Sequence, residues 1–218
     1  MTLSPPELMP ALGALYGEPV HTPNGDAVAE LVLTVLSQNT ADTNSGRAFT
    51  RLLRRYPSWA AIASAPPGEV VETIQVGGLA AQKAPRIQAI LRAVGERSPG
   101  WELEFLRDMA LEEARSWLRA LPGVGPKTAA CVLLFALGRP ALPVDTHVER
   151  VAKRLGLIEP NLTAEQAHEA LERLVDPADY YRFHMLLITH GRRTCAARRP
   201  ACARCPLVSG CPSALVTA

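Results

Sequence analysis

One run of residues constrains the fold of this chain more than any other: "PKTAACVLLFALG", residues 126–138, with "LPGVG" before it and Pro140 after. It is too short to cross a bilayer, which takes roughly 20 apolar residues. It is also too long and too uniformly apolar for a half-buried strand. A helix stopped by Gly138 and Pro140 fits. A helix that is apolar on every side must be surrounded by other elements. The sequence supplies them. "DAVAELVLTVLSQNT" (26–40), "GRAFTRLLRRY" (46–56), "AAQKAPRIQAILRAVGER" (80–97), "LEEARSWLRAL" (111–121), "THVERVAKRLG" (146–156) and "ADYYRFHMLLITHG" (178–191) all carry apolar residues at helical spacing. Thr163 and Gln166 form a capping box before "AHEALERLV". Turn signals, Pro-Pro-Gly at 66–68 and Gly-Gly at 77–78, fall between helices, and no stretch alternates apolar with polar residues long enough for a sheet. The expected class is all-α, about ten helices with short connections.

Composition narrows the setting. Of 218 residues 48% are apolar, enough to bury a core and to exclude wholesale disorder. The N-terminus lacks the basic start and unbroken apolar stretch of a secretory signal. A soluble protein of a bacterial or archaeal cytosol, monomeric and without a membrane partner, is expected. The net charge of +2 argues neither for nor against a polyanionic partner, but Arg192, Arg193, Arg198, Arg199 and Arg204 crowd one short region.

That region also holds four of the five cysteines. Cys195, Cys202, Cys205 and Cys211 are spaced C-x6-C-x2-C-x5-C. In a cytosolic protein such a set reads as a metal site before it reads as disulfides. Four thiolates suit zinc or an iron–sulfur cluster. Zinc sites usually pair two tight knuckles, and only the middle pair here is tight, so ligands strung around one larger body, a [4Fe–4S] cube, fit better. Cys131, inside the apolar run, reads as a small buried hydrophobe.

"LRALPGVGPKTAACVLLFAL" reads as helix, sharp turn, helix. Gly123 and Gly125 permit positive φ and close backbone approach, and Pro126 suits a first helical turn. Free N–H groups at that helix start make an anion site that a DNA phosphate fits without any base being read. Lys127 lies in this first turn. It either contacts a phosphate or, as a neutral amine, serves as a nucleophile for Schiff-base chemistry. Asp145 precedes the helix at 146, where Thr146 and Glu149 form a capping box. It is either a helix cap or a catalytic carboxylate that activates the lysine and steadies positive charge developing at a sugar carbon. His147 reads as structural support.

Together, "LVLTVLSQNTADTN", "GGLAAQKAPRI", "LPGVGPKTA", "VDTHVERV" and the four-cysteine tail resemble the endonuclease III family of helix-hairpin-helix DNA glycosylases, in that family's order, from about Asp26 to Cys211. The resemblance implies a two-lobed all-α fold: a six-helix barrel domain over 28–139, and an iron–sulfur cluster domain built from 1–27 plus 140–218. It implies a [4Fe–4S] cluster on Cys195, Cys202, Cys205 and Cys211, structural in role, whose loop turns Arg198 and Arg199 toward phosphates. It makes Lys127 and Asp145 the catalytic pair, Leu79 the residue that enters the base stack, and Asn39 the amide that fills the vacated space. The implied activity is base-excision N-glycosylase with AP lyase on duplex DNA carrying oxidised pyrimidines or abasic sites. Mismatch-specific thymine or uracil glycosylases share the fold, and a non-catalytic cluster-bearing DNA-binding protein would keep the hairpin but need neither Lys127 nor Asp145. Two departures touch substrate choice: Ala80 and Ala81 stand where relatives often carry larger or polar side chains, and "LSQNTADTN" replaces the commoner "LSAQATD".

Overall fold

The computed structural model describes residues 3–214 and divides them into two compact units. Residues 23–139 form one. The residues before 23 and those from 140 onward form the other. Helix α1 (Pro5–Tyr16) opens the chain. Then follow α2 (Ala27–Ser37), α3 (Asp42–Arg55), α4 (Trp59–Ser64), α5 (Pro67–Ile74), α6 (Ala80–Arg97), α7 (Phe105–Asp108), α8 (Leu111–Arg119) and α9 (Pro126–Cys131). The last three are α10 (Thr146–Arg154), α11 (Ala164–Leu174) and α12 (Tyr180–Arg193). There is no strand among the described residues, as the helical periodicity implies. No helix among them is long and apolar enough to cross a membrane.

In the unit 23–139, α2 packs on α3 and α9, and α4 and α5 pack on α6. Its core is the expected one. Leu31, Val35, Leu52, Ile74, Ile87 and Leu133 are fully buried, and Cys131 lies among them at 2% exposure. The buried amide of Gln88 is satisfied: its Nε2 donates to the carbonyls of Ile62 and Ala65, at 2.9 and 2.8 Å.

Of the helix boundaries that differ from the sequence reading, three matter most here. The first helix of this unit stops at Ser37, not at 40, because Asn39 takes a left-handed turn (φ 52°). The next starts at Asp42, not 46. The apolar run is α-helical only to Cys131 and widens into a π turn over Val132–Ala136. Its end is satisfied from outside the helix. The otherwise orphan carbonyls of Phe135 and Ala136 accept from the N–H groups of Asn24 and Gly25, both at 3.2 Å, and Arg139 N–H reaches back to the Leu133 carbonyl at 2.8 Å.

In the other unit, α12 packs on α1 and α10. Tyr16 Oη meets His190 Nδ1 at 3.0 Å and Thr194 Oγ1 at 2.7 Å. The last long helix runs past its expected end at Gly191 to Arg193. Gly191 lies inside it, at a point where a side chain would meet His147 Cβ at 3.0 Å and Arg150 Nη2 at 3.2 Å. The capping box of Thr163 and Gln166 is formed as expected, at 2.9 and 3.3 Å.

Candidate active site

The hairpin runs from α8 to α9. Gly123 holds φ 71°, the left-handed value that favours glycine. Gly125 does not: at φ −94° and ψ −178° it is the extended N-cap of α9. The sequence reading gave both glycines a positive φ, and only the first uses it. Pro126 occupies the first helical position. Lys127 follows, half-buried, and makes no hydrogen bond to any described residue. Its charged neighbour within the unit is Glu30, on α2. Burial raises the carboxyl pKa of Glu30. Hydrogen bonds from Thr34 (3.0 Å) and Asn24 (3.3 Å), then the charge of Lys127, oppose the rise.

Asp145 belongs to the other unit. The segment leading to it is buried and pinned. Glu172 Oε1 accepts from Leu142 N–H at 2.8 Å, and His184 Nδ1–H donates to the Pro143 carbonyl at 2.7 Å. Asp145 caps α10, and one oxygen, Oδ1, accepts from both His147 N–H (2.9 Å) and Val148 N–H (2.8 Å). Such a cap is worth about 1 kcal/mol. The expected box of Thr146 and Glu149 does not form: Asp145, not Thr146, is the N-cap, and Glu149 N–H donates to the Asp145 main-chain carbonyl at 2.9 Å. Glu149 instead pairs with Lys153 at 2.6 Å. His147 meets Arg150 Nη2 through Nδ1 at 3.1 Å.

Asn39 and Leu79 lie in two turns of the unit 23–139. Both are exposed, Leu79 by 47%. Among the described residues four non-glycines take positive φ: Asn39 (52°), Leu79 (51°), Trp101 (56°) and Arg199 (52°). Three of the four are residues singled out for DNA contact. Asparagine visits this region readily, whereas for leucine it costs roughly 1–2 kcal/mol. Strain of this kind persists only where surrounding structure imposes it. The sequence reading missed what does so here: Lys83 on α6, with Thr40. It also missed Gln38, whose Oε1 accepts from Arg86 Nη1 at 2.8 Å while its Nε2 donates to the Gly123 carbonyl at 3.2 Å. The turn before α3, helix α6 and the hairpin are thus tied by side chains. The signal for Lys83 was present, since it falls on the buried stripe of α6 with Ala80, Ala84, Ile87 and Leu91.

Cys195, Cys202, Cys205 and Cys211 line one cavity, together with Val151, Leu155, His190, Pro200 and Val208. Two short 3₁₀ turns, Cys202–Arg204 and Val208–Gly210, carry the later three cysteines to this cavity. Arg154 holds the loop. Its Nη1 reaches Cys195 Sγ at 3.3 Å and the Ala196 carbonyl at 2.7 Å, and its Nη2 reaches the Ala197 carbonyl at 3.0 Å. Arg150 Nη2 donates to the carbonyls of Gly191 (2.9 Å) and Cys195 (3.2 Å). Burial raises the thiol pKa of Cys205 and Cys211, and the neighbouring cysteines add to the rise. No group of three or more His, Cys, Asp or Glu among the described residues is arranged to hold a single metal ion. Four thiols around one apolar cavity, with guanidinium N–H at a sulfur, match a larger soft-ligand body instead. Arg198 and Arg199 are exposed on the same loop.

Hairpin, fold and thiol loop define a class of DNA-repair protein, and residues 32–177 match the family described as HhH-GPD superfamily base excision DNA repair protein. The endonuclease III of Thermotoga maritima is 37% identical over 186 residues, covering 85% of this chain and 83% of that protein. A solved non-covalent endonuclease III–DNA complex superposes with a TM-score of 0.81 at 30% identity, over 95% of this chain and 93% of that one. A trapped endonuclease III–DNA covalent intermediate, an estranged-adenine complex, gives 0.80 at 30% identity, over 94% and 93%. The chain spans 55% of the length of an Arabidopsis thaliana relative, 38% identical over 162 residues. Within the HhH-GPD superfamily, the chain belongs to the endonuclease III family.

Proposed function

We propose that this protein is a bifunctional DNA glycosylase and AP lyase of base excision repair, acting on duplex DNA with oxidised pyrimidines or abasic sites in the cytosol. One observation carries the reading. Lys127 stands one residue inside the helix that follows the Gly123 turn, half-buried and without a hydrogen-bond partner. An unbonded amine held behind a phosphate-binding turn is placed for sugar chemistry. A covalent intermediate between an endonuclease III and DNA has been trapped, which supports a covalent step here, and Lys127 is the amine we assign to it.

The course follows from the residues. The hairpin's N–H groups, with Arg198 and Arg199, hold phosphates without reading bases. Leu79 enters the stack as the damaged nucleotide turns out, and Asn39 fills the space beside the orphan base. Neutral Lys127 Nζ attacks the sugar C1′, the N-glycosidic bond breaks, and the base leaves with its electron pair and takes a proton. Ring opening gives the Schiff base. Loss of a C2′ proton then expels the 3′ phosphate by cleavage of the C3′–O bond, and water releases the sugar fragment from Lys127. Asp145 is the carboxylate proposed to steady positive charge on the sugar, and its capping of α10 uses only Oδ1.

Cys195, Cys202, Cys205 and Cys211 would hold a [4Fe–4S] cluster. When bound it supplies a fixed ligand loop and no chemistry to the sugar. Arg150 and Arg154 anchor that loop from α10, and Arg198 and Arg199 ride on it.

The test is borohydride trapping on an oligonucleotide duplex with one abasic site. A covalent adduct that Lys127→Ala abolishes, with DNA binding retained, is expected. Normal binding with neither adduct nor cleavage would identify a non-catalytic DNA-binding protein. A panel of duplexes with oxidised pyrimidines and with thymine or uracil opposite guanine identifies the base removed.

A further inference from the structure

Lys83 is 2% exposed, among the largest fully buried side chains, and a cation. All three of its protons are placed: Nζ donates to the Leu36 carbonyl at 2.6 Å, to Thr40 Oγ1 at 2.6 Å and to the Gly77 carbonyl at 3.0 Å. None of these acceptors is a carboxylate. Two are main-chain carbonyls where regular structure ends, one in the last turn of α2 and one at the close of the 3₁₀ turn Gln75–Gly77. The third acceptor joins the other two sides, because the Thr40 hydroxyl also meets the Gly77 carbonyl at 2.6 Å. Burial lowers the pKa of this amine, and the nearby charge of Arg86 lowers it further. An apolar residue of similar length would fill the space without that cost, so the ammonium is retained for its bonds.

What the bonds join is specific. Asn39 lies between Leu36 and Thr40, and Leu79 lies two residues after Gly77; both are left-handed and exposed. One buried ammonium therefore ties the two strained turns beneath their tips. The turns come from segments some 40 residues apart in sequence (Thr40 to Lys83 spans 43), and nothing local fixes their spacing.

We propose that Lys83 is a positioning residue that sets the separation of the Asn39 and Leu79 turns, so that both enter one lesion site in the duplex. This rests on the reading of those turns as the DNA-probing elements. Lys83 touches neither sugar nor base. It acts through Thr40 and the two turn backbones.

The experiment separates positioning from general support by changing the substrate. A single abasic site is presented either in a duplex, where the stack must be entered, or in a single-stranded oligonucleotide, where it need not be. Lys83→Met keeps the length and removes the donors, whereas Thr40→Val keeps the lysine and removes the bridge. Adduct formation with borohydride is timed under single-turnover conditions, at a temperature where circular dichroism shows each variant folded. Lys83→Met is expected to slow duplex trapping by about 10²-fold, the scale of an ångström-sized misplacement, and to leave single-stranded trapping at the wild-type rate. Thr40→Val is expected to slow duplex trapping alone by about 10-fold, and it decides the matter if Lys83→Met does not fold. Equal losses on both substrates, or an unchanged duplex rate, overturn the positioning role. A folded wild-type protein that traps on neither substrate overturns the glycosylase–lyase reading itself.

Discussion

The side chain of Arg86 lies across Gly123: a Cβ at Gly123 would come within 2.3 Å of Arg86 Nε. Gly123 also holds φ 71°. Gly123→Ala must therefore strain the backbone and displace Arg86 from Gln38. It is expected to lose about 1–2 kcal/mol, or several degrees of melting temperature for a chain of this size. Gly125→Ala is the contrast. Its φ is ordinary and no atom lies within 4 Å of the added carbon. Its melting temperature should stay at the wild-type value while affinity for abasic duplex falls, because the methyl occupies the path of an approaching phosphate. Thermal unfolding and binding measured on both variants check the pair.

Asp145 caps α10 through Oδ1 alone, and the catalytic duty proposed for it is separable from that cap. Asparagine keeps an oxygen for the N–H groups of His147 and Val148, so Asp145→Asn should melt with the wild type. It should release base at least about 10²-fold more slowly, the usual scale for a positioned acid–base group. Asp145→Ala loses the cap as well, about 1 kcal/mol more. Single-turnover base excision beside a melting curve separates the two effects. An asparagine variant that excises at full rate would leave Asp145 as a cap and nothing else.

Arg154 donates to the Cys195 sulfur and to the carbonyls of Ala196 and Ala197. Arg154→Ala leaves those acceptors without their donors, a loss of roughly 1–3 kcal/mol. The ligand loop should open more readily, seen as faster bleaching of the iron–sulfur visible absorbance in air and faster thiol labelling of Cys195. Bleaching at the wild-type rate would show that Arg150 alone suffices.

Glu30 gives a dependence on pH. Burial raises its carboxyl above the ordinary 4.5, so the folded protein holds a proton that the unfolded chain has released. The stability it contributes is complete below pH 4.5 and is lost as pH rises through the raised value. Glu30→Gln removes that loss. Its stability relative to the wild type should grow with pH above 4.5 and then level off, measured by denaturant titration across the range. A difference independent of pH would mean that Glu30 titrates alike in both states.

Much of this was legible in the sequence because local chemistry dictates it. The helical period, the box at Thr163 and Gln166, the left-handed Gly123 and the apolar helix carrying Cys131 all follow from residues within a turn or two of one another. What the sequence concealed depends on distant partners. The carbonyls that end the π turn at 132–136 are taken by Asn24 and Gly25, far earlier in the chain. Gly191 is a glycine inside a helix, where a side chain would crowd His147 and Arg150. Lys83 stood in plain view on a buried stripe, but its acceptors lie 6 to 47 residues away, and only the folded turns bring them to one nitrogen.

The bond from Tyr16 to His190 spans 174 positions. Helix α1 is synthesised well before its partner α12. At 5–20 residues per second, the interval is roughly ten to thirty seconds. The whole of the unit 23–139 is made within it. Until α12 arrives, the face of α1 that packs on it has no partner and stays open to chaperones and proteases.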